Sequence, residues 1–498
     1  MSLRSKRAFL QDIAEGNPYP LYKEIAFAEP YTYYEALKTP NSLLLESVKG
    51  PEKIARYSFI GVDPYLTFRT KDGVTEITSG GDVIRSSMHP FRLLRPLLRA
   101  VVKRAMGLPP FIAGAAGLIG YDFAHYLERL PRTVRDDLHT PDMHLLFFDT
   151  ILCFDHIDKK AWITSCPWVK DINKWTLQGR TGITPAPDAS SSAEYYDEAL
   201  ERIALIESRL YVVGETDGKG AAGKIEIRHE LSKSQYMDMV KRAKQYIAAG
   251  DIFQANISQR ISADIKGIEP WDIYKKLCSI NPSPFSAFLH MGDYLVVSSS
   301  PERLLRVNDG IIETRPIAGT RPRGKDNNGD RLMRAELLIN GKERAEHIML
   351  IDLERNDLGK VSEYGSVTVD ELMITEDYSH VIHIVSNIRG CLKKGKDIID
   401  AIRAAFPGGT ITGVPKVRCM EIIDELESTQ RGPYTGSIGY MSFTGDMDLN
   451  IVIRSFVIKD DTAYVHAGGG IVADSEPERE YYETLKKAEA LIKSLEEL

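Results

Sequence analysis

An α+β fold built on antiparallel sheet is what this sequence predicts, and three observations carry the expectation. Short apolar runs alternate with turn residues early in the chain, while helical and strand-like stretches interleave later. No regular strand-helix-strand repeat points to a doubly wound parallel sheet.

From about Pro20 to Pro167, the runs SLLLESV, YSFIGV, AAGLIGY and HLLFFDTILCFD read as strands with few long helices between them. The richest apolar run, Phe111 to Tyr121, is broken by three glycines and reads as a buried strand or a site of close packing. Two small, polar, glycine-bearing breaks follow, Gly179 to Ala193 and Val213 to Lys224, with a charged helical stretch between them. Residues 179–230 are therefore expected to be a linker region between a first segment, 20–167, and a second, 231–498.

In the second segment SQYMDMVKRAKQYIAAG, PERLLR, RAELLINGKERAEHIMLIDLERND and PEREYYETLKKAEALIKSLEEL read as helices. YLVVSSS, YGSVTVDELMI, LNIVIRSFVI and TAYVHAGGGIVA read as strands. The neighbours 438–444 and 449–458 flank the turn-like TGDMD and favour antiparallel pairing.

With 498 residues, 43% of them hydrophobic and 27% charged, the chain can bury a large core. A net charge of -7 without any long basic run gives no general attraction to nucleic acid or to an anionic membrane. A local basic site for a small anionic substrate is still compatible with it. The five cysteines are scattered with no CxxC, so neither a disulfide framework nor a zinc site is indicated. That usage, together with no secretory signal and no run approaching a membrane span, leads to the expectation of a cytoplasmic protein.

Two helical stretches each place glutamates three apart, Glu343 with Glu346 and Glu480 with Glu483, so that each pair shares one helix face. If the faces met, their oxygens would suit a hard divalent cation such as Mg²⁺; otherwise they are solvated and paired with Arg344, Lys486 or Lys487. AFPGGTITGVPKVRCMEII sets Thr410 and Thr412 before a helix start, where backbone N–H groups receive a carboxylate or phosphate, or simply cap the helix. AGGGIVADS is a second glycine run, ahead of the second glutamate pair. Neither loop has the Walker spacing.

Arg454, among apolar neighbours in LNIVIRSF, needs either a protein carboxylate or a substrate one. His380 and His383 have a spacing that suits one helix face or a bend, as packing groups or as acid-base groups. No GxSxG elbow or GxCxG turn is present, so the chain is not expected to carry its own glutaminase.

Five ordered motifs then add up to a family pattern: SSSPER (298–303), ETRPIAGTRPRG (313–324), AEHIMLIDLERNDLG (345–359), PGGTITGVPK (407–416) and GIVADSEPEREYYETL (470–485). Together they resemble the chorismate-utilising enzymes, among them the first components of anthranilate and aminodeoxychorismate synthases and the isochorismate and salicylate synthases. LLESVKG, RYSFIG and GLIGYD extend the resemblance over the first segment. It implies two antiparallel sheets packed as a sandwich with helices outside, shared by both segments.

The resemblance also implies roles. Glu346 and Glu483 would be direct ligands of Mg²⁺, with Glu343 and Glu480 behind them through water. Glu302 would be the general acid for the departing C4 hydroxyl of chorismate, and His383, Ala318 and Thr320 would border the reacting ring. Thr410, Tyr434, Arg454, Gly469, Gly470 and Lys487 would hold the dianionic substrate. In place of the water-activating lysine of isochorismate and salicylate synthases stands GDIFQANISQR, with Gln254 nearby, which favours ammonia as nucleophile. The implied protein is the large subunit of an aminase fed by a separate glutamine amidotransferase subunit.

FQANIS, YTGSIGY, DLNIVIR and the third glycine of AGGGIVADS resemble a branch of the aminodeoxychorismate enzymes, and that product is the expectation. Ala318 in PIAGT, where many of those enzymes have a lysine, keeps anthranilate as the alternative. Glu46, Ser47, Asn281, Pro282 and Ser283, in LLES and NPSP, resemble the tryptophan pocket of family members. Ser286 stands near where feedback-inhibited relatives carry a bulky residue, so regulation, a fixed structural ligand and no ligand all stay open.

Overall fold

Alternation of buried and half-buried side chains along the strand runs is satisfied by two large sheets. The computed structural model describes residues 4–177, 187–210, 225–324, 326–377 and 381–498. Each sheet has twelve strands, and both draw on the first and the second segment of the chain. In the first sheet the seam is Ser42–Glu46 against Phe285–His290, antiparallel, with Glu46 opposite Ser286. In the second, Gly114–Ile119 pairs antiparallel with Ser437–Ser442, so Gly117 faces Gly439 across the ladder. The glycines of the Phe111 to Tyr121 run thus serve close backbone approach: a β-carbon at Gly120 would meet three carbonyl oxygens at 3.1–3.4 Å.

The two sheets face each other through aromatic side chains. Phe59 of the first lies 5.4 Å from Phe111 and 5.1 Å from Tyr440 by ring centroid, and Phe111 stacks on Tyr440 at 4.8 Å. Helices cover the outside. Lys233–Ala248 begins in a capping box, Ser232 with Gln235, and buries Tyr236, Val240 and Ala243 along one stripe. Pro477–Glu496, opened by a proline at its first turn, buries Thr484, Ala488, Leu491 and Leu495 and packs on the strand Thr462–Ile471. No helix among the described residues is long and apolar enough to cross a membrane.

Two sequence expectations fail in instructive ways. PERLLR is not helical: Arg303–Asn308 is a strand between Ile311–Thr314 and Met447–Asn450, because burial on both faces of Leu304, Leu305 and Val307 outweighs local helix propensity. LNIVIRSFVI is not one strand either. Met447–Asn450 belongs to the second sheet and Ser455–Lys459 to the first, and residues 451–454 carry the chain across. Arg454 sits at that crossing with φ +54°, a left-handed conformation that costs a non-glycine residue about 1 kcal/mol or more. Between the expected linker breaks lies the helix Ser192–Leu210, while residues 178–186 and 211–224 are outside the described residues.

Candidate active site

The crossing at 451–454 and the loop 407–413 both reach Glu302, the first through the Ile451 amide and the second through Thr410. Glu302 leads into the strand Arg303–Asn308; its carbonyl accepts from the Ile451 amide at 3.0 Å, which ties it to the crossing. Its side chain is 7% exposed, and Thr410 Oγ1 donates to its Oε1 at 3.1 Å. Burial pushes the Glu302 carboxyl up to about 8, with the charge of Glu354 adding to the rise; Thr410, the Ile317 amide and the distant cation of Lys487 oppose it. At neutral pH it is therefore an acid with a proton to give.

One cation, Lys487, acts on that acid through space. Lys487 Nζ bonds the Gly468 carbonyl at 3.0 Å and Glu483 Oε1 at 2.9 Å. Arg454 has no carboxylate partner among the described residues, and burial lowers its pKa, with Tyr434 opposing. Of the two readings open for this guanidinium, a protein carboxylate is thus not the one the fold supplies. The Tyr434 ring stacks on His466 at 5.1 Å and 12°, and the place of a β-carbon on Gly468 is 2.8 Å from its hydroxyl.

His383 lies in the strand Val381–Cys391, not on a helix face, opposite Thr320 of Ile317–Pro322. Its Nδ1 is 2.9 Å from Thr320 Oγ1 and 3.3 Å from the Gly319 carbonyl. Burial lowers its pKa to about 4, so the ring is neutral at neutral pH; the Gly319 bond opposes the shift and the Arg454 charge adds to it. Ala318 pairs with Ile384 in the same ladder. His380 is outside the described residues.

The glutamate pairs occupy two walls. Around Gly469, Glu480 Oε2 and Glu483 Oε1 come within 3.4 and 3.9 Å of where a β-carbon would lie. A β-carbon on Gly470 would strike the Gln254 amide. On the other wall, in the helix Gly341–Gly359, Glu343 Oε1 is bonded by Arg321 Nη1 at 2.6 Å. Glu343 Oε2 is buried without a hydrogen-bond partner and fills the space beside Gly319, where φ is +63°. Glu346 is half-buried one turn further along.

Among the described residues no three carboxylate, imidazole or thiol side chains stand together in ligating geometry, so the four glutamates are not gathered into one shell. Their chemistry nonetheless fits a hard divalent ion, since all donors are oxygens and one buried carboxylate oxygen has no other bond.

The residues of LLES and NPSP form a separate knot. Tyr274 donates to Glu46 Oε2 at 2.5 Å, Ser47 Oγ to the Tyr57 and Pro284 carbonyls at 2.8 and 3.1 Å, and Asn281 Nδ2 to the Ser299 carbonyl at 3.2 Å. Ser283 Oγ bonds the Asn281 carbonyl at 3.3 Å across Pro282. Burial raises the Glu46 carboxyl to about 7 against the Tyr274 bond.

Two groups near the site, Glu354 and Asn256, carried no assignment from sequence, and a third, Gln254, was named only near the place of the absent lysine. Glu354 is 4% exposed on the same helix as Glu343; Asn256 and Gln254 each keep a buried amide oxygen without a partner. A buried carboxylate in DLERND has no local signature that sets it apart from a surface ion pair. Asn256 and Gln254 share one face of Gln254–Asp264 by strand alternation, a signal that was available.

The family described as chorismate binding enzyme matches residues 40–493. The chain belongs to that family. It is 42% identical over 455 residues to aminodeoxychorismate synthase component 1 of Bacillus subtilis (strain 168), which covers 91% of each chain. Anthranilate synthase component 1 of Acetivibrio thermocellus is 40% identical over 492 residues, 93% of this chain and 94% of that one. The crystal structure of anthranilate synthase component I from Streptococcus pneumoniae TIGR4 superposes with a TM-score of 0.75 at 34% identity, covering 88% of this chain and 92% of that one. The protein is thus a chorismate-binding enzyme close to both synthases.

Proposed function

We propose that this chain is the large subunit of an ammonia-using chorismate aminase, with aminodeoxychorismate as its product. The observation that carries the reading is Glu302, a buried acid protonated at neutral pH, within the field of Lys487 and tied through the Ile451 amide to the crossing that ends in Arg454, which has no carboxylate partner among the described residues. A dianionic substrate supplies the charge that Arg454 lacks, and its hydroxyl is the group that needs a proton in order to leave.

In this scheme Arg454 and Lys487 hold the carboxylates of chorismate, and Thr410 keeps the Glu302 carboxyl aimed at the substrate. Glu302 gives its proton to the departing C4 hydroxyl, which leaves as water, and Glu302 becomes a carboxylate. Ammonia adds, and the proton shed by the new ammonium nitrogen returns to Glu302, so the cycle closes with water as the only loss. His383, neutral and braced by Thr320, presents a ring that neither adds charge nor competes for that proton. Glu346 and Glu483, with Glu343 and Glu480, would hold Mg²⁺, a Lewis acid that draws negative charge toward the ring carboxylate.

Ammonia is expected from a separate glutaminase. The sequence has neither a GxSxG elbow nor a GxCxG turn, and the relatives named above are each called component 1. Anthranilate is the second reading, favoured by Ala318: at this position no amine is available to attack the ring before ammonia does.

Purified chain incubated with chorismate, Mg²⁺ and ammonium at alkaline pH should consume chorismate. Chromatography with and without a pyruvate-eliminating lyase separates the products: an aminodeoxychorismate peak converted by the lyase supports the first reading, and fluorescent anthranilate formed without it supports the second. No consumption sinks both. Glutamate release from glutamine by the chain alone contradicts the subunit assignment.

A further inference from the structure

Arg431 has no part in the scheme above, although it is only 2% exposed and carries a full charge. A guanidinium has five N–H groups, and in so enclosed a place each needs an acceptor. Each has one here. Nε donates to Glu427 Oε2 at 2.9 Å and Nη2 to Glu427 Oε1 at 2.7 Å. Nη2 also donates to the Asn256 carbonyl at 2.7 Å, and Nη1 donates to the Ile411 carbonyl at 3.0 Å and to Thr435 Oγ1 at 3.2 Å.

These acceptors belong to three pieces of the candidate site. Ile411 follows Thr410, whose hydroxyl donates to Glu302 at 3.1 Å. Asn256 lies in the strand Gln254–Asp264, and its own amide bonds the Thr412 carbonyl at 2.9 Å, so strand and loop are joined beside the guanidinium. Thr435 Oγ1 donates in turn to the Tyr434 carbonyl at 2.6 Å, and the guanidinium carbon lies 5.6 Å from the centre of the Tyr434 ring and 4.8 Å from that of Tyr121. Glu427 is itself held in place, since the Ser258 amide and hydroxyl donate to its Oε1 at 2.8 and 2.9 Å. A lysine would neutralise Glu427 equally well, but the three donors of an ammonium cannot reach all the places that a planar fork reaches.

We propose that Arg431 is a positioning residue for the reaction: through the Ile411 carbonyl it fixes the loop that aims the Thr410 hydroxyl at Glu302, and through Thr435 it fixes Tyr434. Enclosed as it is, it acts through these groups and not on the substrate itself. The inference rests on the reading of Glu302 as the proton donor.

Arg431→Lys keeps a charge opposite Glu427 and gives up the fork. In the folded variant kcat is expected to fall about 10- to 100-fold, as the acid and its hydroxyl partner lose their alignment. A cycle with Thr410→Val separates positioning from packing. If Arg431 acts through Thr410, R431K/T410V loses little more kcat than T410V alone, whereas independent losses multiply. Multiplied losses, or an unchanged kcat in folded R431K, overturn the inference. Should R431K fail to fold, E427Q/R431M takes its place in the same cycle, because it leaves no unpaired charge in the core and keeps an oxygen for Ser258, and the same two results count against the inference. A carboxyl titration needs no turnover: the infrared signal lost in E302Q identifies Glu302, and its midpoint should rise in R431K, since the Thr410 bond favours the ionised form. An unmoved midpoint overturns the inference as well. Failure of the native chain to consume chorismate would sink the functional reading, and the titration would still judge the positioning.

Discussion

Glu302 and Glu46 are both buried glutamic acids at strand ends, and burial raises them to about 8 and about 7. Their surroundings differ. Glu46 is closed off by the Tyr274 hydroxyl and lies in a knot where Ser47, Asn281 and Ser283 are all bonded to protein groups. Glu302 has one hydroxyl donor and is tied through the Ile451 amide to the crossing that ends in Arg454, which has no carboxylate partner among the described residues. A raised carboxyl alone thus does not mark chemistry; what marks it is a neighbourhood whose charges the protein has not balanced.

Substitution separates the two regions most strongly at the acid. Glu302→Gln should lower kcat by about 10²–10⁴, the usual worth of a positioned proton donor. The melting temperature should hold or rise, because an amide is not penalised by burial as a carboxylate is. Steady-state kinetics beside thermal unfolding checks both halves; an active variant would break the contrast.

Arg454→Met comes next, with KM for chorismate raised about 10- to 100-fold, since a charge-assisted contact is worth about 1.5–3 kcal/mol. The crossing must tolerate the change, because methionine keeps the unbranched apolar stem of the side chain; circular dichroism verifies that. An unchanged KM in a folded variant removes Arg454 from the substrate site.

Glu46→Gln gives the smallest effect, and it is on stability. The folded-state pKa of Glu46 is raised, so between its unfolded value near 4.5 and about 7 the folded chain holds the extra proton. The stability this confers is complete below that window and is lost as pH rises through it. The fall in unfolding free energy across this range should be shallower in the variant, with kcat little altered. Asp122, raised to about 7 by burial, keeps part of the slope. A slope identical to that of the native chain would place Glu46 outside the account.

Much of this was legible in the sequence, for definable reasons. The 233–248 helix announced itself by its apolar periodicity, and the glycine-spaced strand 114–119 by its composition. PERLLR misled because helix propensity is local and burial between two strands is not. The break at Arg454 misled because an apolar run hides a change of sheet. The spacing of Glu343 with Glu346 and of Glu480 with Glu483 was visible, yet spacing fixes a shared helix face and not where that face points.

Isotope transfer tests the central claim most directly. Chain supplied with chorismate, Mg²⁺ and ¹⁵N-ammonium, and followed by mass spectrometry, should yield a product carrying one labelled nitrogen, while Glu302→Gln yields almost none. Conversion of chorismate at full rate into a nitrogen-free isomer, with the label left in solution, would contradict the account.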